Sequence, residues 1–402
     1  MSHAARTEAN LRAYAVHQRV VGSLFWLPTV LLYLIDQVGL TQALQLGALY
    51  YLTVVVLEVP SGWFSDHVGR VAALRVTGVA WVGCHALFLV GGLAPIAGAQ
   101  VLLAVGYAFL SGTDSTFHFD VLDADGRSSE FERREARVRT GLHYATAITA
   151  IIGGCLAFVD LRLPFAAALV AAAVQLASTL RMSEPPRSAR TATFASDLRS
   201  VGRQLRRPLL AWITFYVVVE VVLIHLVAEL APPYLAMVLE RPADDPAGAA
   251  VISGLVAATV AAVAGLSLRY TERARQRFGA GAVLVALAFV TAATSVTMAL
   301  VVSLLVLPLI VSRGIQMAAT QIIVPGIISR RVEQHHRATM LSVTSLLGRC
   351  TYAVVLLSIA GERLPRVLDT AAVVAVIAAV LALVTALRPS VAAEFRADRD
   401  SI

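Results

Sequence analysis

EVPSGWFSDHVGR, residues Glu58–Arg70, sets an acid, a proline, two glycines, an aspartate and an arginine inside a chain whose flanking sequence is Val, Leu and Ala. In a soluble enzyme such a run would be an active-site loop. Between two membrane-crossing helices it would mark the place where they meet. Composition chooses between these, because 58% of the 402 residues are apolar and only 15% charged, against about 25% charged in a soluble domain.

Windows of about 20 apolar residues, the length a helix needs to cross the hydrocarbon layer, recur along the whole chain. They predict spans at 19–38, 42–63, 72–92, 97–121, 138–159, 164–181, 208–231, 247–268, 280–298, 301–325, 339–360 and 367–387. The expected fold class is an all-α membrane protein with twelve transmembrane helices in two six-helix bundles. Its expected parts are an N-terminal bundle (1–181), a cytoplasmic linker (182–207), and a C-terminal bundle with a cytoplasmic tail (208–402). Within the Arg-, Ser- and Pro-rich linker, residues 198–207 have the pattern of a short amphipathic surface helix.

Every basic residue apart from histidine is arginine, and with the N-terminus inside, 27 of the 33 fall in cytoplasmic segments. That asymmetry is the positive-inside pattern, and it puts both termini in the cytoplasm of a bacterial inner membrane. The net charge of +7 then faces the lipid surface. No aromatic or recognition-helix pattern accompanies it, so nucleic acid is not an expected partner. Cys84, Cys155 and Cys350 stand in apolar runs without ligand spacing, and the His335–His336 pair lacks a third ligand. No metal, cofactor or catalytic constellation is expected, and no removable signal peptide precedes the first span. Without an ATP-binding motif, active transport would draw on an ion gradient.

The segment Gly62-Trp-Phe-Ser-Asp66-His-Val-Gly69-Arg70 resembles the G-x-x-x-D-x-x-G-R loop between the second and third helices of the major facilitator superfamily. EVPSG (58–62), SGTDSTFHFDVL (111–122) and RATMLSVTSLLGR (337–349) are similar to motifs of its drug-efflux-like, drug:proton antiporter bacterial branch. The resemblance implies the major facilitator fold, alternating access, and proton-coupled export of a small amphipathic compound by a monomer. It also implies a cytoplasmic gate at Gly62, Asp66, Gly69 and Arg70. The likeness is incomplete: Gly153 and Gly154 stand in the fifth span without a proline, and no arginine lies between Val101 and Leu122.

Charge inside a span is costly unless paired, hydrated or functional. Asp114, Glu58 and Glu220 are therefore candidate proton-coupling residues, Asp114 first because no arginine shares its span. Glu220, Arg313 and Arg349 fall near mid-span, where they form a Glu–Arg pair or leave an arginine for an anionic substrate; with Gln316 they make the candidate substrate wall. Arg70 needs a carboxylate partner, Asp120 or Asp123. His225 and Glu229, spaced i,i+4, are an outer-gate pair or a fixed hydrogen bond. Small-molecule substrate, protons and membrane lipid are the expected partners. Export competes with uptake of a metabolite or organic anion, and with a non-transporting receptor or scaffold.

Overall fold

The computed structural model describes residues 3–186, 202–239, 247–332 and 334–400. Among them every regular element is helical: α1 (His3–Val21), α2 (Val30–His67), α3 (Arg70–Val90), α4 (Leu93–Leu110), α5 (Thr113–Asp123), α6 (Phe131–Val159) and α7 (Leu163–Leu180), then α8 (Pro208–Val238), α9 (Ala247–Phe278), α10 (Ala280–Leu300), α11 (Leu307–Arg331), α12 (Gln334–Ile359), α13 (Leu364–Ala386) and α14 (Pro389–Asp400). Two compact units result, one from Met1–Ala189 with Pro242–Ala258, the other from Arg190–Arg241 with Thr259–Ile402. Residues 198–201 of the amphipathic stretch expected at 198–207, and the side chains of His335 and His336, lie outside the described residues, and the described remainder holds one short helical turn.

Eleven described helical segments are long and apolar enough to cross a membrane. Polarity is arranged for lipid: Leu305 is 85% and Val159 75% exposed, while His17, Gln18 and Gln175 are fully buried. Outward side chains need no water, and inward polar groups find one another. The protein is an all-α multi-pass membrane protein.

The segment expected as one span at 19–38 is broken. Helix α1 stops at Val21, the chain passes through 22–29, and α2 begins at Val30. Gly22 and Pro28 explain the break. Proline cannot supply a helical amide, and a Cβ at Gly22 would approach the Leu142 carbonyl to 2.5 Å. The Thr146 hydroxyl of α6 donates to the Gly22 carbonyl at 2.9 Å, answering a group the break leaves open. Helix α2 then turns at Gly39, whose φ of 79° favours glycine; 30–38 completes the first segment and 40–67 forms the second.

Other expected boundaries shift for local reasons. The EVPSG stretch does not end its helix: α2 continues through Pro60 to His67, and the Ser61 hydroxyl donates to Glu58 O at 3.1 Å and Ala108 O at 2.9 Å. The fourth span divides into α4 and α5 at Ser111–Gly112, where Gly112 has φ 72°. Helix α6 starts at Phe131, ahead of the expected 138, because its charged first turns pair internally. The tail folds as α14, with Phe395 against Trp212 at 5.1 Å and Arg331 bonded to Glu394.

In the second unit, Ala375, Ala379 and Ala382 of α13 share a core with Leu284 and Ala288 of α10 and Leu209 and Ile213 of α8. Small residues let these helices approach closely, which stands in for the missing hydrophobic drive in lipid.

Gly153 sits against the Phe25 carbonyl at the first-span break, where a Cβ would overlap it, whereas a Cβ at Gly62 meets nothing within 4 Å. Gly153→Ala should lower the melting temperature of the detergent-purified protein by several degrees, an overpacking cost of about 1–3 kcal/mol, and Gly62→Ala should leave it unchanged. Equal melting curves for both variants would contradict the packing described at the break.

Candidate functional site

In the first unit the break between α4 and α5 places Asp114 in the first turn of α5, with Gly112 and Ser111 as the non-helical hinge. Asp114 is 5% exposed. Its Oδ1 accepts the Ser115 amide at 2.7 Å, and Oδ2 accepts Gln18 Nε2 at 2.6 Å and Arg139 Nη2 at 3.2 Å. The arginine absent from Asp114's own span thus comes from α6, whose early start brings residue 139 alongside. A buried acid without a basic partner, expected from the sequence, is replaced by an ion pair.

Arg139 also donates from Nε to Glu135 Oε1 at 2.8 Å. Glu135 Oε2 accepts His118 Nδ1 at 2.8 Å and the Tyr14 hydroxyl at 3.1 Å, and that hydroxyl accepts Gln18 Nε2 at 3.1 Å. Five side chains from α1, α5 and α6 therefore close a ring, and His118 joins it through Glu135. Tyr14, Gln18, His118, Glu135 and Arg139 escaped the sequence reading. The available signal was spacing: 14 and 18, 114 and 118, and 135 and 139 are each i,i+4 pairs, which share a helix face.

The arrangement has a chemical consequence. An ionised carboxylate only accepts hydrogen bonds, and every donor at Asp114 points to an acceptor. A proton on Oδ2 would face two donors, the Gln18 amide and the Arg139 guanidinium. One of those bonds must then break.

The loop that opens the sequence reading forms a second cluster. Arg70 binds Asp66 at 2.5 Å, Ser65 Oγ at 3.0 Å and Asp120 at 3.4 Å. Of the two carboxylates expected for Arg70 it takes Asp120, and Asp123 is exposed. Gly69, with φ 150°, occupies backbone space that favours glycine and makes the turn. Gly62, placed in the gate by the resemblance, is exposed with open space around it. Glu184, unnoticed in the sequence, accepts the amides of Arg70 at 2.7 Å and Val71 at 2.9 Å, a carboxylate at a helix N-terminus. Glu58 accepts Ser111 Oγ at 3.4 Å.

In the second unit Glu220 of α8 is 6% exposed, beside Tyr216 and Thr320. No ion pair joins it to Arg313 or Arg349 among the described residues, so the expected Glu–Arg pair is not formed. Arg313 Nη1 reaches the Ile224 carbonyl at 3.5 Å. Arg313 Nε is buried without a hydrogen-bond partner, and Gln316 Nε2 and the Tyr216 and Thr320 hydroxyls are buried beside one another. Gln316 Oε1 accepts the Thr291 hydroxyl. His225 and Glu229 meet through Tyr352: its hydroxyl donates to Glu229 at 2.7 Å and its ring lies 5.3 Å from His225, whose Nδ1 is 2.7 Å from Val221 O.

Outside the spans, charge pairing alone moves proton affinities. Hydrogen bonds from Arg275 hold the Glu272 carboxyl below its ordinary range, and bonds to Glu130 and Glu8 hold the Arg127 guanidinium above its own. No group of three or more metal-ligating side chains occurs among the described residues.

Known proteins place this geometry in a family. The structure of the nucleoside transporter NupG superposes with a TM-score of 0.73 at 13% identity, covering 96% of this chain and 100% of that one. A D-xylose–proton symporter gives 0.71 at 11% identity, over 94% and 97%. The POT family transporter PepTSo gives 0.71 at 10% identity, over 95% and 97%. Among curated proteins none matches the sequence. These relatives are transporters rather than enzymes, and the nucleoside transporter and the D-xylose–proton symporter overturn the expectation of efflux by antiport. The family model of the Major Facilitator Superfamily matches residues 20–356, most of the chain, and with the break, the Arg70 loop and the helical plan it shows that this protein belongs to that superfamily.

Proposed function

We propose that the protein is a secondary transporter of the bacterial inner membrane, with both termini cytoplasmic, that takes up a small polar metabolite together with a proton. The observation that carries this is the buried Asp114 paired with the half-exposed Arg139 at 3.2 Å inside the ring of five side chains. Proton arrival at Asp114 makes its hydrogen-bond pattern incompatible with Gln18 and Arg139, and Arg139 keeps Glu135 as its remaining carboxylate. A group whose two protonation states demand different partners biases a two-state conformational equilibrium. Glu58, held by Ser111, and Glu220 are the other coupling candidates.

The halves 1–181 and 208–402 act as the two lobes of alternating access, a plan in which bundles rock about a central site. Glu220, Arg313, Gln316 and Arg349 form the substrate wall. The buried donors Arg313 Nε and Gln316 Nε2 suit a substrate rich in acceptor oxygens, a description that nucleosides and xylose both meet. An organic anion is the second reading, favoured by Arg313 standing without a carboxylate partner among the described residues. Arg70, with Asp66, Gly69 and Asp120, works as the cytoplasmic gate, and His225 with Glu229 as the outer one. The motifs shared with the drug-efflux-like branch then describe helix architecture rather than direction.

Proteoliposomes with an acidic exterior should accumulate radiolabelled nucleosides, pentoses or carboxylates from a panel, and dissipating the gradient should abolish accumulation. Asp114→Asn should lose gradient-driven accumulation while keeping substrate exchange. Accumulation that requires an acidic lumen, or an Asp114→Asn protein that still concentrates substrate, would refute this assignment.

The ion pair also predicts coupled stabilities. Arg139→Gln alone leaves a buried carboxylate short of a donor and should destabilise by about 1–3 kcal/mol, more than Asp114→Asn. The double variant should recover part of that loss, with a coupling of at least about 0.5 kcal/mol. Strict additivity of the melting shifts would mean that the two side chains do not stabilise each other.

A further inference from the structure

A cavity of about 20 Å³ lies inside the first unit, where the broken first span meets α3, α4 and α7. Ser23 and Trp26 come from the break, Trp81 and His85 from α3, Tyr107 from α4 and Gln175 from α7. It shares no lining residue with the Asp114 ring, and it belongs to a different unit from Glu220 and Arg313.

Three of its lining residues bring polar atoms without a partner: Trp81 Nε1, His85 Nδ1 and Gln175 Oε1. Those residues are 5%, 4% and 0% exposed. The Gln175 amide is oriented by His17, whose Nδ1 lies 3.3 Å from Gln175 Nε2, so Oε1 is the end left over. The Ser178 hydroxyl cannot answer it, because that hydroxyl donates to the Gln175 backbone carbonyl at 2.6 Å. These atoms are buried in the protein, and each unanswered group is costly.

The chemistry of the three atoms selects their ligand. An indole N–H only donates, an amide oxygen only accepts, and an imidazole nitrogen does either. An ammonium ion cannot accept from Trp81. A halide cannot donate to Gln175. An apolar occupant satisfies none of them. One oxygen bearing a hydrogen meets all requirements, and the volume is that of a single water-sized group.

We infer that this cavity is a hydroxyl-binding site at the interruption of the first span, occupied by one water or by one hydroxyl of a polar solute. The site ties α3 to α7 beside the break. It stands independently of the uptake reading, since it requires only that the cavity hold a hydrogen-bonding oxygen.

The test uses the full-length purified protein. A high-resolution structure without added solute should show an ordered oxygen within hydrogen-bond distance of Trp81 Nε1, His85 Nδ1 and Gln175 Oε1 if water is the ligand. If a solute hydroxyl is the ligand, glycerol or D-xylose should change tryptophan fluorescence saturably, and Trp81→Phe should remove the change. Xenon bound in the cavity of pressurised crystals would mark it as dry and overturn the inference. His85→Leu, close in volume, separates the same cases by stability: loss of a real ligand bond should lower the melting temperature by about 2–4 °C, while an unchanged or raised value would mean that the imidazole faces nothing. The uptake assay is unaffected by which of these results is found, so failure here and failure of the transport reading are told apart.

Discussion

An ionised carboxylate within a helix bundle facing lipid needs its lone pairs answered from inside the protein, and meeting that need at Asp114 organises the first unit. The donors come from three directions: the Ser115 amide of its own helix, Gln18 from α1 and Arg139 from α6. Each donor then constrains its helix. Helix α1 must turn a polar face inward, so Asn10, Tyr14, His17 and Gln18 are buried in a segment too polar to be recognised as part of a span. Helix α6 must begin early enough for Arg139 to reach across. The break at Gly112 gives Asp114 a free amide at a helix start rather than a backbone already bonded within the helix.

Interruptions in the helices thus serve the polar interior. Residues 22–29 open the first segment beside a cavity of unanswered polar atoms, and Ser111–Gly112 opens the fourth beside a buried acid. Where helices run unbroken, as α10 and α13 do, their shared core is alanine, leucine and valine. Irregular backbone in a membrane is tolerated where protein covers it, and Thr146 shows how a neighbouring hydroxyl takes over a carbonyl that the break releases. This pattern separates packing regions from working regions without reference to any ligand.

The positions of the membrane-crossing segments were legible because apolar length is a signal that neighbours cannot disguise. The Arg70 loop was legible because its glycines and charges are close in sequence. What the sequence hid is of another kind. A twenty-residue apolar window reads the first segment as 19–38, since Pro28 and Gly22 cost little in hydropathy while ending a helix in three dimensions. Arg139 was counted as a surface charge, because its distance from Asp114 in sequence conceals that α6 carries it alongside α5. Gln18, His118 and Glu135 were passed over for the same reason, their roles depending on partners 17 to 121 residues away. Of the two readings open for Glu220, Arg313 and Arg349, all deep in spans, the Glu–Arg pair is not formed among the described residues, because equal depth does not set the rotation of a helix about its axis.

The last helix has a consequence for how the chain is made. Helix α14 covers Trp212 with Phe395, and Glu394 holds Arg331 at 2.9 Å, so these ends of α8 and α11 are completed by a helix synthesised after both. Until the ribosome releases Pro389–Asp400, the aromatic end of α8 has no cover, although α8 itself was made some 150 residues earlier. Domains assemble as the chain emerges, and apolar surface left open in that interval is where misassembly starts. A chain stopped before α14 would therefore carry its own mark of incompleteness, a tryptophan left without the ring that covers it.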